Sequence, residues 1–170
     1  MIMKYYFFWA GEFSNWSYSP FKCDGITFNC GEQYMMWAKA MVCGDVLTAG
    51  KIMEEQQPIN QKKLGRQIQN YDEAAWSANR YHLVKKGLRE KFLQNSKHMD
   101  ALKNHNDKII VEASPNDRIW GIGYSEKYAI ENIDNWGENL LGKIITELAS
   151  ELTKATPLPL DWKDRPELCK

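Results

Sequence analysis

Glu32 and Lys39 lie seven positions apart in FNCGEQYMMWAKA (residues 28–40), a stretch that otherwise carries Tyr34, Met35, Met36 and Trp37. The turn-like opening and the apolar run behind it predict a helix that begins near Gly31 or Glu32. Seven helical residues rise about 10 Å. Glu32, Met36 and Lys39 then share one broad face, and Tyr34, Met35 and Ala38 turn away. Two accounts fit this pattern. In one, Glu32 complements the helix dipole in the first turn and Lys39 is a solvated amine on the rim of a core helix. In the other, both face a pocket. Glu32 then acts as a general base or stabilises a developing positive charge, and Lys39 orients a substrate oxygen or attacks a carbonyl.

Asp117 lies in SPNDRIWGIG, on a loop after a strand and beside Trp120, Gly121 and Gly123. A carboxylate there suits ligand work, with an Asx-turn that caps local backbone as the structural alternative. Trp120 either stacks on a flat ring or fills core space. Arg66 in LGRQI either neutralises a phosphate or forms a surface ion pair. Asn139 in GENLLG either bonds a ligand or caps the last helix, and Asn15 in FSNW suits a pocket rim. Taken together, three distant segments supply aromatic surface and a polar or acidic group, which fits a ligand with a flat base and hydroxylated sugars. Cleaving an N-glycosidic bond needs stabilisation of an oxocarbenium-like centre, proton handling at the leaving group and a placed nucleophile. Carboxylates meet the first and last of these needs, as in glycoside hydrolysis.

These residues must be positioned by a mainly helical chain. Residues 5–9 read as a buried aromatic strand, residues 11–21 as a loop, and Asp24-Gly25 as a two-residue hairpin turn. A second helix is expected over residues 45–55, stopped by Pro58, and Asn60 is expected to cap the next. Residues 70–95 read as helix with a turn that splits it, and a further helix starts near Ser96 or Lys97. Ile109, Ile110 and Val111 favour a strand. Leu140, Leu141, Ile144, Ile145 and Leu148 form a helical core stripe. The ending ATPLPLDWKDRPELCK reads as a Pro-containing tail packed by Trp162. The expectation is an α+β single domain, predominantly helical with a few short strands, over residues 1–155 and a tail over residues 156–170.

Other classes lack support. Lys plus Arg equals Asp plus Glu at 22 each, so no global positive field draws nucleic acid. A flipped base would need only a local patch. There is no G-x-G-x-x-G, P-loop or G-x-S-x-G motif. Cys23, Cys30, Cys43 and Cys169 show no metal spacing with His82, His98 and His105, so neither a metal nor a cofactor is expected. No apolar run reaches the roughly 20 residues that a bilayer requires, and MIMKYYFFWA lacks a cleavage pattern. A cytoplasmic protein with free thiols and no membrane partner is expected.

FSNW, ITFNCGEQYMMWAKA, LGR, GLREKF, VEASPNDRIWGIG and GENLLGKIITEL occur in this order, and the combination resembles the NADAR family, which includes YbiA-like proteins. The resemblance implies a small, mostly helical α+β protein that hydrolyses an N-glycosidic bond. Some members act on phosphorylated riboflavin-pathway intermediates, and others remove ADP-ribose from guanine in nucleic acid. It implies Glu32, Lys39 and Asp117 as catalytic residues. Asn15, Arg66, Trp120, Gly121 and Asn139 are implied as substrate-binding residues. The implied partner is an ADP-ribose-containing or ribosyl-phosphate small molecule, or an ADP-ribosylated DNA or RNA base. A non-catalytic ADP-ribose-binding module is the alternative. Phe28, Cys30 and Gln33 depart from residues common in the family, Trp, Ser or Thr, and His. These departures touch the expected pocket entrance and helix cap and leave the carboxylate and amine intact.

Overall fold

The computed structural model describes residues 4–160. Three short strands come first, β1 (Tyr5–Phe8), β2 (Phe21–Cys23) and β3 (Ile26–Phe28). Helices α1 (Gly31–Val42), α2 (Val46–Glu54), α3 (Pro58–Gly65), α4 (Glu73–Gln94) and α5 (Ser96–Asn104) follow. The chain continues through β4 (Ile109–Glu112), a short α6 (Glu126–Ala129), a 3-10 segment (Ile130–Asn135) and α7 (Leu140–Thr153). This is the helical α+β architecture expected from the pattern. The residues pack as two units, one formed by residues 14–99 and the other by the chain up to Phe13 together with the chain from Asp100 onward. The tail expected over residues 156–170, Trp162 included, lies mostly outside the described residues, as does Cys169. Cys23, Cys30 and Cys43 are free thiols.

In the unit of residues 14–99, Asp24 and Gly25 take φ values of 49° and 81° and join β2 to β3 with Cys23 opposite Ile26. Positive φ at both central residues matches the twist of antiparallel strands, which is why Asp-Gly suits this turn. Phe21, Phe28 and Tyr34 form an aromatic cluster with Trp37 packed against it. The Tyr34 hydroxyl donates to the Leu83 carbonyl at 2.8 Å and ties α1 to α4. Helix α1 is buried on nearly every side, including Tyr34, Met35 and Ala38. The two-faced helix expected from spacing is therefore a central one, enclosed by its neighbours.

Two local expectations differ from the structure. Pro58 opens α3 instead of merely stopping α2, because a proline in the first helical turn gives up an N–H that has no intrahelical partner anyway. Asn60 accordingly lies inside α3, and Gln57 takes the cap position. Helix α4 runs unbroken for 22 residues from an Asp72 cap whose carboxylate accepts from Ala75 N at 2.9 Å. Its buried residues Trp76, Val84, Gly87, Leu88, Lys91 and Phe92 recur at helical three- and four-residue spacings over the second half, with Trp76 anchoring the first.

The other unit is built on a parallel pair, β1 with β4, in register from Tyr5 opposite Ile109 to Phe8 opposite Glu112. Trp136, Ile122, Ile109 and Val111 form its core with Tyr5 and Phe7 alongside. A two-stranded sheet leaves one edge of β4 without a strand, and buried backbone groups there need partners. Helix α7 supplies them through side chains. Thr146 Oγ1 accepts from Ile110 N at 3.0 Å and donates to Gly142 O at 2.7 Å. Asn139 Oδ1 accepts from Glu112 N at 2.9 Å, and its Nδ2 donates to Ile110 O at 3.1 Å.

Asn139→Ala removes a donor and an acceptor from this edge at once. It is expected to lower stability by about 2–4 kcal/mol in urea denaturation, with Thr146→Val less damaging. The two changes should not add, because both act on Ile110.

Candidate active site

The site residues on residues 14–99 are set by the way the chain enters α1. Cys30 is the cap, extended at φ −162°, and makes no side-chain cap bond. The first-turn amide of Glu32 instead donates to the Asn15 carbonyl at 2.9 Å. A loop from a distant part of the sequence thus does what a capping side chain usually does. A Cβ at Gly31 would stand 2.6 Å from Asn15 Oδ1 and 3.1 Å from a Leu88 methyl. Only glycine lets this loop and α4 close on the helix start. Glu32 is 4% exposed and Asn15 6%. Asn15 Oδ1 is buried and accepts no hydrogen bond, so it is an acceptor available to a donor that the protein itself does not supply.

Two turns along α1, Lys39 is half-buried. Its Nζ donates to Gly65 O at 3.2 Å and sits 4.8 Å from the centre of the Tyr71 ring. Burial pushes the ammonium below the usual lysine range, and Arg66 adds to that. Cys43, Glu73 and Glu32 pull the other way. Arg66 is the exposed cap residue at the end of α3. Residues from 15 to 66 therefore assemble a buried carboxylate, a partly desolvated amine and a nearby guanidinium. The three lie on α1 and the end of α3.

Asp117, Trp120, Gly121 and Asn139 belong to the other unit. Asp117 Oδ1 accepts from both Ile119 N and Trp120 N at 2.9 Å, the Asx-turn alternative. The amides of Asn139, Leu140 and Leu141 donate to the carbonyls of Gly121, Ile119 and Trp120, at 3.2, 3.0 and 3.1 Å. The start of α7 thus grips the 119–121 loop by its otherwise unpaired N–H groups. A Cβ at Gly121 would lie 2.9 Å from Glu112 O, so the loop packs directly on the end of β4. Trp120 is half-buried. Asn139 occupies the cap position with φ 51° but caps nothing with its side chain, since both amide atoms are engaged with β4.

The departures at Cys30 and Gln33 are buried ties. Cys30 Sγ donates to Gln61 Oε1 at 3.2 Å, and burial raises its thiol. Gln33 Oε1 accepts from Asn29 N at 2.7 Å, and its Nε2 donates to Ile52 O at 3.1 Å. They join α1 to α2 and α3. Sequence reasoning passed over two residues beside the candidates. Tyr71, against the Lys39 amine, falls within the stretch read as helix, but α4 begins at Glu73 and leaves Tyr71 in the preceding loop. Lys91 reads as one more charge in a helical run, and only its complete burial singles it out. Among the described residues no group of three or more His, Cys, Asp or Glu side chains is placed to hold a metal ion. None of their helices is long and apolar enough to cross a membrane.

Comparison with known proteins places these residues in context. The NADAR domain model matches residues 6–153. N-glycosidase R617 of Acanthamoeba polyphaga mimivirus is 42% identical over 122 residues, covering 71% of this chain and 72% of that protein. N-glycosidase YbiA of Escherichia coli is 28% identical over 142 residues, covering 84% and 81%. The NMR structure of E. coli YbiA superposes with a TM-score of 0.74 at 26% identity, over 91% of this chain and 88% of that one. The riboflavin biosynthesis protein VVA0006 of Vibrio vulnificus is 26% identical over 135 residues, which cover 79% of this chain but 34% of that protein.

The depressed Lys39 amine has a measurable signature. Its folded-state affinity for a proton is below that of the unfolded chain, so the cost of burying the charged form is fully present at neutral pH. That cost fades as pH rises from the lowered value towards about 10.4. The stability of the wild type relative to Lys39→Met is expected to rise over that window in denaturant titrations. A flat difference would show that Lys39 is solvated.

Proposed function

The chain belongs to the NADAR family and is a hydrolase of N-glycosyl bonds, and on that premise we propose that its substrate is an ADP-ribosylated guanine, in nucleic acid or as a nucleotide. The observation that carries this is the Glu32 carboxylate, buried at the start of α1 and followed two turns later by the partly desolvated Lys39 amine. Desolvation strengthens what each group does to a reacting sugar.

In the reaction the bond from the anomeric carbon to the base nitrogen breaks, water adds at that carbon, and a proton goes to the leaving nitrogen. Glu32 positions the water and stabilises the positive charge that develops on the ribose. Lys39 serves through its lone pair. Its nitrogen attacks the anomeric carbon as the bond to the base breaks and the base nitrogen takes a proton. The ring oxygen then leaves that carbon and takes a proton to give an imine. Water adds to the imine carbon, expels the amine and returns the sugar. A partly desolvated amine, which holds its proton less tightly, suits this step better than a solvated one. The free Asn15 Oδ1 accepts from a substrate hydroxyl, and Arg66 meets a phosphate. Asp117, which the resemblance implies as a catalytic residue, is proposed to support the ribose, and Trp120, Gly121 and Asn139 to bind substrate. We take the enzyme to be cytoplasmic.

Cleavage of phosphorylated riboflavin-pathway intermediates is the second reading, favoured by the similarity to the riboflavin biosynthesis protein of Vibrio vulnificus. Release of free base from each substrate, followed by chromatography, separates the two. A protein that binds ADP-ribose and releases no base from either would be a binding module.

Glu32→Gln and Lys39→Ala are each expected to slow base release by about 10²–10⁴-fold while the circular dichroism of the fold survives. Trapping with borohydride should attach the sugar covalently to the wild type and not to Lys39→Ala. Unchanged rates in both variants would end the assignment of this pair.

A further inference from the structure

Two side chains in residues 14–99 carry formal charge and are almost wholly buried. Glu32 is 4% exposed and Lys91 is 0% exposed. Burying either ion alone is strongly unfavourable, and a buried charge persists when an opposite one accompanies it. Their backbone connections converge on consecutive residues. Lys91 Nζ donates to the Ser14 carbonyl at 3.1 Å. The next carbonyl, that of Asn15, accepts from the Glu32 amide at 2.9 Å. Cys30 lies close enough to sense both charges, since Glu32 raises its thiol and Lys91 lowers it. Helix α4 also meets this spot through Leu88, one turn before Lys91, against the position a Gly31 Cβ would take.

We infer that Lys91 is a positioning residue for the N-glycosidase reaction, the buried counter-charge that keeps Glu32 ionised and holds the 14–15 loop against the start of α1. This rests on the assignment of Glu32 as the reacting carboxylate. Lys91 has no reach to substrate in this role. It acts by fixing the charge state of Glu32 and the place of Asn15. The titratable groups around Glu32 include Lys91 from α4, Lys39 from α1 itself and the Cys30 thiol at the cap. Both lysine nitrogens also meet a backbone carbonyl and a ring, Gly65 O and Tyr71 for Lys39, Ser14 O and Phe92 for Lys91, but Lys91 is wholly buried and Lys39 only half-buried.

Lys91→Met keeps the length of the stem and removes the charge. Glu32 then gains a proton more readily, and the acidic limb of the kcat/KM profile should move up by about one pH unit or more. At neutral pH kcat should fall about tenfold with KM nearly unchanged. A variant that is merely less stable would not move the limb. On folding, a cycle of Glu32→Gln, Lys91→Met and the double variant should be non-additive, with the double variant more stable than the sum of the singles.

An additive cycle and an unmoved limb, with Glu32→Gln still inactive, overturn the role of Lys91 and leave that of Glu32 standing. A fully active Glu32→Gln overturns both. If Lys91→Met alone does not fold, carbon NMR of the wild-type Glu32 carboxyl decides. Ionisation maintained through neutral pH supports the pairing, and a carboxyl already protonated there refutes it.

Discussion

The hydrogen bond from the Glu32 amide to the Asn15 carbonyl is the contact on which the candidate chemistry depends. A helix start has several N–H groups with no intrahelical acceptor, and most helices satisfy one of them with the side chain of the cap. Cys30 does not do so. The vacancy is filled by backbone from a loop 17 residues earlier, and that loop brings the Asn15 amide with it. Because Gly31 has no side chain, the loop comes close enough for its oxygen to remain buried and unclaimed. A capping requirement of the backbone thereby brings the residue that carries the carboxylate and the residue that carries the free acceptor into direct contact.

The second unit solves a related problem with different atoms. The strandless edge of β4 and the open N–H groups of α7 are both unsatisfied in isolation. Asn139 and Thr146 bond to the strand, while the first amides of α7 bond to the loop that contains Ile119, Trp120 and Gly121. Asp117 closes the same loop from its other end. The DRIWG and NLLG stretches look like separate motifs in the sequence and form one rigid clasp in the fold. Rigidity of this kind suits a loop that must present a half-buried indole in one orientation.

Much of the fold could be read from local pattern because local chemistry decides it. Asp-Gly tolerates the positive φ of a tight hairpin, and the stripe through Leu141, Ile144, Ile145 and Leu148 has a single helical face. The errors also have local causes. Pro58 fits the end of one helix and the start of another equally well by type, and only the following packing selects the start. Helix α4 reads as divisible because its apolar residues are sparse along 22 residues, and the contacts that hold it in one piece come from other elements. The short α6 and its 3-10 extension left no periodic signal to detect.

The candidate site was legible as a set of residue types and much less so as an environment. The order of the motifs and the spacing of Glu32 and Lys39 were present in the chain itself, and with them the family and the class of bond. Their burial was not, because it comes from contacts with residues far away in sequence. The desolvation of Lys39 by the end of α3 and by Tyr71, the engagement of both Asn139 amide atoms, and the complete burial of Lys91 are of this kind. Charge, polarity and reach are properties of a side chain. The dielectric around it and the partners it finds exist only once distant segments have packed, and those are what turn an ordinary lysine or glutamate into a reactive one.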